Sequence, residues 1–333
     1  MKNSHTENLL KRFLKRKVKV TLGLVVAFMI TGAVGYGADI VIGETAGYEV
    51  DEKGEVTRET IVFTSKGESI TYDLNGNTLI VEDGLYVGPT SDFPENGSID
   101  IKDNSKTGTF KSYGTIGRDG SINVGNLIVD TKEANGITTG VNGEKLEITA
   151  NNVDVTSKTS GIFIVDPNGQ GAVAELIVKS NDIKVKSGHG IRNNSGTSTL
   201  DVEASNKITL EVANYGINGA TSGGTTKVTA GELDITLTSN VGQGAIHGMS
   251  GANVYVNSGH ITTHKFDDGA KAIWSRTGGK VFVNYDEKGN KIEGNHLLEL
   301  EGDIVVAGES IVKVTSLSMA SIRQGSSFSS LVQ

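Results

Sequence analysis

Between residues 136 and 283, apolar and polar positions return in a fixed phrase. It opens with a small residue followed by isoleucine: Gly136-Ile137, Gly161-Ile162, Gly190-Ile191, Gly216-Ile217, Ala245-Ile246 and Ala272-Ile273. The isoleucines are 25, 29, 26, 29 and 27 residues apart. Self-similarity at such a period marks a stacked-repeat architecture. Each period holds two further apolar-polar-apolar triplets. The first are Leu146/Ile148, Leu176/Val178, Leu200/Val202, Val254/Val256 and Val281/Val283, with only Val228 clear in the fourth period. The second are Val153/Val155, Ile183/Val185, Ile208/Leu210 and Leu233/Ile235, with Ile261/Thr263 a degraded copy. A triplet of period 2 is a short strand with two side chains on one face and one on the other. Each period therefore predicts three strands.

The link between the two triplets is nearly constant in length. Two residues before the second triplet stand Asn151, Asn181, Asn206, Gly231 and Gly259. Asn and Gly tolerate a left-handed backbone, so one tight left-handed bend is expected on every rung. The other two links vary in length. One fixed and two variable corners fit a three-sided coil, and the expected fold is an all-β, right-handed parallel β-helix. The small residue before each isoleucine is expected to mark a crowded corner. A β-sandwich would explain neither the three strands per period nor the fixed corner.

Outside this stretch the pattern is looser. Asp39 to Ile42, Ile61 to Phe63, Ile70 to Leu74 and Thr78 to Val81 read as strands, with Asn75-Gly76 a turn. Ile99/Ile101 and Ile122/Val124 begin to resemble rungs. Leu297 to Leu300, Ile304 to Val306 and Ile311 to Val314 read as further rung strands. The expected organisation is a signal segment over 1–37, a cap with irregular first rungs over 38–120, and a β-helix over 121–333.

Composition agrees with many short strands and bends: 44 Gly, 3 Pro and no Cys in 333 residues. The absence of cysteine excludes disulfides and thiolate metal sites. The net charge of −8 is unevenly spread. Lys2, Lys11, Arg12, Lys15, Arg16, Lys17 and Lys19 against Glu7 give the first 37 residues +6, which leaves −14 for the rest. So acidic a surface argues against nucleic acid or an anionic membrane as partner; no membrane insertion of the mature segment is expected.

The basic stretch over 1–19 runs into an apolar one over 20–34 and then into Gly35, Tyr36, Gly37 and Ala38. This is the layout of a secretory signal peptide, and the apolar run is short for a membrane span. The stretch from Leu9 to Lys19, continuing through Thr21, Leu22, Gly23 and Leu24 to Ala38, resembles the extended leader of autotransporter-associated N-terminal segments. That resemblance implies a large surface protein of a Gram-negative bacterium, exported across the inner membrane to the cell surface or outside. It also implies an outer-membrane barrel after the passenger, which this chain does not contain up to Gln333. The β-helix resembles such passengers in architecture only.

Some β-helices cleave polysaccharides, which requires clustered carboxylates, or carboxylates with Lys or Arg, on adjacent rungs. The outward positions of the first triplets are Glu147, Ile177, Asp201, Lys227, Tyr255 and Phe282. Those of the second are Asp154, Lys184, Thr209, Asp234 and Thr262. No acids stack there, so no catalytic residue is assigned. After each small-Ile pair the outward residues are Thr138, Phe163, Arg192, Asn218, His247 and Trp274. Arg192, Asn218, His247 and Trp274 form the candidate ligand-binding line, with a sugar stacked on Trp274 and hydrogen-bonded by the other three. His260 and His264 share a strand face without a third ligand of defined spacing, and Asp166 to Gln170 lacks the acid density of a calcium loop. No metal and no cofactor is expected.

Together these features predict an exported, autotransporter-type β-helical passenger acting as a non-catalytic adhesin or interaction stalk. Its expected partner is a host or bacterial surface glycan or protein. The alternatives are a β-helical polysaccharide-active enzyme and a structural spacer for a separate functional tip.

Overall fold

A computed structural model describes residues 39–58, 69–82, 85–86, 98–117, 119–132, 134–140, 143–165, 173–220, 223–239, 244–267 and 269–315. The segment 1–37, the strand expected at Ile61 to Phe63 and the loop from Asp166 to Gln170 lie outside these residues. Within them the chain is all-β and coils into a parallel β-helix with a period of about 27 residues.

Three columns of parallel strands form its faces. The first follows the small-Ile phrase. Ile116, Ile137, Ile162, Ile191, Ile217, Ile246, Ile273 and Ile304 are successive register partners. From Ile116 to Ile273 each is fully buried. The second face stacks Leu146, Leu176, Leu200, Thr226, Val254 and Val281, and the third stacks Val153, Ile183, Ile208, Leu233, Ile261 and Leu298. Thr226 takes the Leu position that the pattern left open, and it is buried. Each inward aliphatic contributes on the order of 1.5–3 kcal/mol relative to exposure. None can be buried without the rungs on either side, so stability is a property of stacking.

The same columns run back through the first rungs. Asp39–Val41 pairs with Ser69–Asp73, which pairs with Ser98–Lys102, which pairs with the start of Gly120–Thr131. Asn75-Gly76 is a turn, with φ of 49° and 78°. It joins two faces of the coil: the strands on either side pair with the next rung and not with each other. The three strands expected after Val283 are also present, at Leu297–Leu300, Asp303–Ala307 and Ile311–Val314.

The crowded corner before each isoleucine is real. A Cβ on Gly216 would lie 2.5 Å from Ile235 Cγ2 and 2.6 Å from the Ala245 carbonyl oxygen. One on Gly190 would lie 2.5 Å from the Gly216 oxygen.

The left-handed Asn/Gly bend is not found where it was expected. None of Asn151, Asn181, Asn206, Gly231 and Gly259 has positive φ. The second and third faces are instead joined inside single bent strands such as Lys145–Ser157 and Thr225–Leu237. The residue types serve other needs. Asn206 Nδ2 donates to Asp182 Oδ1 at 2.7 Å, and Ser205 Oγ donates to Asn181 Oδ1 at 3.0 Å, so side chains bridge neighbouring rungs. At Gly231 a Cβ would meet the Asn206 carbonyl oxygen at 2.6 Å. The recurring left-handed glycine sits at the corner between the first and second faces. Gly251 and Gly278 have φ of 76° and 75°, and Gly143 and Gly223 repeat the position at 85°. Each stands three residues before the second-face strand's first inward residue.

Outward charges alternate in sign along the axis. Asp182, Lys207 and Glu232 are successive partners, as are Asp154 and Lys184. In-register stacking sets outward side chains about 4.8 Å apart, where like charges repel. Lys186–Glu211 at 3.1 Å, Lys145–Glu175 at 3.2 Å and Lys179–Glu203 at 3.7 Å are the resulting pairs.

Candidate functional site

The four candidate residues are neighbours in the order expected. Arg192 is the register partner of Asn218, Asn218 of His247, and His247 of Trp274. Their environments differ sharply, however. Asn218 is 2% exposed and His247 is 0% exposed, so neither can meet a ligand directly. Arg192 and Trp274 are half-buried.

Burial of His247 traces to the column two residues before each isoleucine, which pattern reading passed over. That column holds His189, Tyr215, Gly244 and Lys271 in register. Gly244 has no side chain, and a Cβ there would already lie 3.4 Å from Trp274 Cβ. The space it leaves is taken by the His247 ring. His247 stacks on Tyr215 with centroids 4.5 Å apart and planes 11° apart, and Tyr215 stacks on His189 at 5.5 Å and 15°. Trp274 continues the stack on the other side of His247 at 4.9 Å, tilted by 41°. The result is a four-ring ladder along the axis, His189–Tyr215–His247–Trp274. Aromatic pairs of this kind contribute about 0.5–1.5 kcal/mol each beyond burial.

Hydrogen bonding fixes the central ring. The Asn218 oxygen can only accept, so His247 Nδ1 donates to it at 3.0 Å. Nε2 then carries the lone pair, is buried and has no partner. Burial pushes the His247 pKa down to about 3, and the nearby Arg276 and Lys271 charges add to the effect. His189 is pushed down to about 4 by burial and by Arg192. Both imidazoles are thus neutral near pH 7. Burial also lowers the Arg192 pKa, against a smaller opposing contribution from Tyr215.

The faces of Trp274 are not free for a sugar. The Arg276 guanidinium lies 4.3 Å from the ring centroid and Lys271 Nζ lies 4.8 Å from it, while His247 occupies the stacking position along the axis. Arg192 sits similarly over Phe163 at 5.3 Å. Stacking of a sugar on Trp274 is therefore corrected: its ring is spent on the ladder and on two cations. What remains partly exposed is the set of cations that flank the ladder, Arg192, Lys271 and Arg276.

The other candidates are dispersed. His260 faces Glu299 at 3.3 Å and His264 faces Asp234 at 3.4 Å, so each histidine has its own acid. Among the described residues no three His, Asp or Glu side chains gather as metal ligands. The outward columns have the expected members, with Glu147, Ile177, Asp201, Lys227, Tyr255 and Phe282 in successive register.

The fold and ladder define a three-faced parallel β-helix with an aromatic spine on its first face. Comparison with protein-family models, with curated proteins and with solved structures finds no match.

Proposed function

We propose that this chain is an exported surface protein, an autotransporter-type β-helical passenger that works as a non-catalytic adhesin or interaction stalk. The leader-like stretch from Leu9 to Ala38 supports the export route. The observation that carries the non-catalytic reading is the pairing of outward groups with each other. Among the described residues, no strand register sets two carboxylates on adjacent rungs. Lys207, between Glu232 at 3.7 Å and Asp234 at 3.5 Å, neutralises the densest acid group on the third face. Acid–base hydrolysis needs a carboxylate pair facing across a substrate, whereas a stalk needs only a rigid, charge-balanced rod.

The test is surface labelling of intact Gram-negative cells that express the protein. A membrane-impermeant amine reagent should label Lys184 and Lys186, which stand exposed on the third face. Confinement of the chain to the cytoplasm, with residues 1–37 retained, would overturn the reading.

A further inference from the structure

The first face departs in charge from the rest of the protein. Beyond residue 37 the chain carries −14, yet the ladder is flanked by Arg192, Lys271 and Arg276. Among the described residues no carboxylate forms an ion pair with any of the three. Asp303 follows Lys271 in register and still does not pair with it. Elsewhere Lys145, Lys179, Lys186 and Lys207 each have an acid partner on the next rung. Here it gives the cations aromatic faces instead.

Ring orientation adds to this. Successive planes of His189, Tyr215 and His247 lie 15° and 11° apart, so each ring face is covered by its neighbour in the ladder and the flanking cations are what this face offers. Arg192, Lys271 and Arg276 make this strip electropositive. The Nε atoms of Arg192 and Arg276 are buried without hydrogen-bond partners, a cost that an arriving acceptor could offset by drawing the guanidinium into a bidentate bond.

We infer that this strip binds an acidic oligosaccharide, its carboxylates held by Arg192 and Arg276. The inference rests on the adhesin reading and gives it a ligand class. Arg192 and Arg276 stand on rungs three steps apart, about 14 Å at the strand spacing. One sugar ring cannot reach both, so the ligand is an oligomer with spaced acids. A nucleic acid is a poorer fit, because its dense phosphates would meet the acidic remainder of the solenoid. An acidic peptide is also disfavoured. Peptides that join sheets do so through a free strand edge, and the strands of this face over residues 137–276 are paired on both sides.

The test is titration of the purified chain with an oligogalacturonate long enough to span three rungs. Its fully methyl-esterified form, an oligoglutamate and a single-stranded oligodeoxynucleotide serve as competitors. Binding to the free acid should weaken with salt, and Arg192→Gln and Arg276→Gln should each weaken it about tenfold. Lys184→Gln on the third face should leave it unchanged, and far-ultraviolet circular dichroism of all variants should match the parent. Four results would each overturn the inference: no binding, equal binding of the ester, tighter binding of the peptide or oligonucleotide, or unchanged affinity in both arginine variants. Because the titration uses purified protein, its failure leaves the export reading standing, and failure of export leaves the titration unaffected.

Discussion

Two single residues carry unusual electrostatic demands. Asp103 is 1% exposed. Its Oδ1 accepts from Gly76 N at 3.1 Å, Ser105 N at 3.2 Å and Ser105 Oγ at 2.7 Å, and its Oδ2 accepts from Thr107 N at 2.9 Å and Gly108 N at 2.6 Å. Burial alone would raise its pKa, but these donors outweigh it and hold the carboxyl below its ordinary value. The carboxylate therefore stabilises the fold above the unfolded-state pKa, and that contribution is lost as pH falls through the folded value. Asp103→Asn replaces one acceptor by an NH2 that faces backbone N–H groups. It should cost about 1–3 kcal/mol in urea unfolding at pH 7; an unchanged midpoint would contradict the turn-holding role. His247 acts in a higher window. Its folded pKa of about 3 lies below the ordinary 6.5. Between those values the unfolded chain binds the extra proton, so stability falls as pH drops from 6.5 towards 3, by at most about 1.4 kcal/mol per unit. His247→Phe should keep the stack and flatten this part of the stability profile, and an unaltered slope above pH 4 would show that His247 is not its source.

At the level of the rung, the phrase of a small residue and isoleucine states a steric rule. Gly216 lies so close to Ile235 and the Ala245 oxygen that a valine there must force the stacked strands apart. Gly216→Val should lower stability by about 1–3 kcal/mol or more, read from the denaturant midpoint. Ala245→Gly, in the same column, should lose only about 1 kcal/mol through backbone freedom. Comparable costs would refute a packing limit specific to the glycine. This rule, the inward columns and the order Arg192–Asn218–His247–Trp274 were all legible in the sequence, because strand alternation and period fix register. The nature of the corners was not. Asn and Gly suit a left-handed turn, an amide bridge to the next rung, or a close backbone approach, and spacing alone does not separate these. Gly231 meets the third condition, whereas Gly251 meets the first. The burial of His247 was hidden for a related reason. It depends on a missing side chain at Gly244 and a ring at Tyr215, in a column two residues away from the one being read.

Across the whole molecule, stability is distributed as a one-dimensional stack, so position along the axis should decide local opening. The rungs from Glu175 to Leu237 have neighbours on both sides and inward side chains that are almost fully buried. Towards the last described rung the burial declines. Leu297 is 43% exposed and Ile311 39%, while Leu300, Ile304, Val312 and Val314 are only partly buried. Fewer buried contacts mean a lower opening free energy for those strands, even though their ladder hydrogen bonds to Asn253–His264, Lys271–Arg276 and Lys280–Val283 are in place. Hydrogen exchange followed by mass spectrometry should therefore show a gradient. Amides of Leu297–Leu300, Asp303–Ala307 and Ile311–Val314 should exchange well before those of Glu175–Asn193 and Thr199–Gly219, with the Asn253–His264 strand between. Removing an inward side chain should shift this gradient locally. Ile273→Ala, whose isoleucine packs fully buried one rung below Ile304, should speed exchange in Asp303–Ala307 more than in Thr199–Gly219. Uniform protection along the axis, or an equal response at both ends of the stack, would show that the solenoid opens as a single cooperative body and not rung by rung.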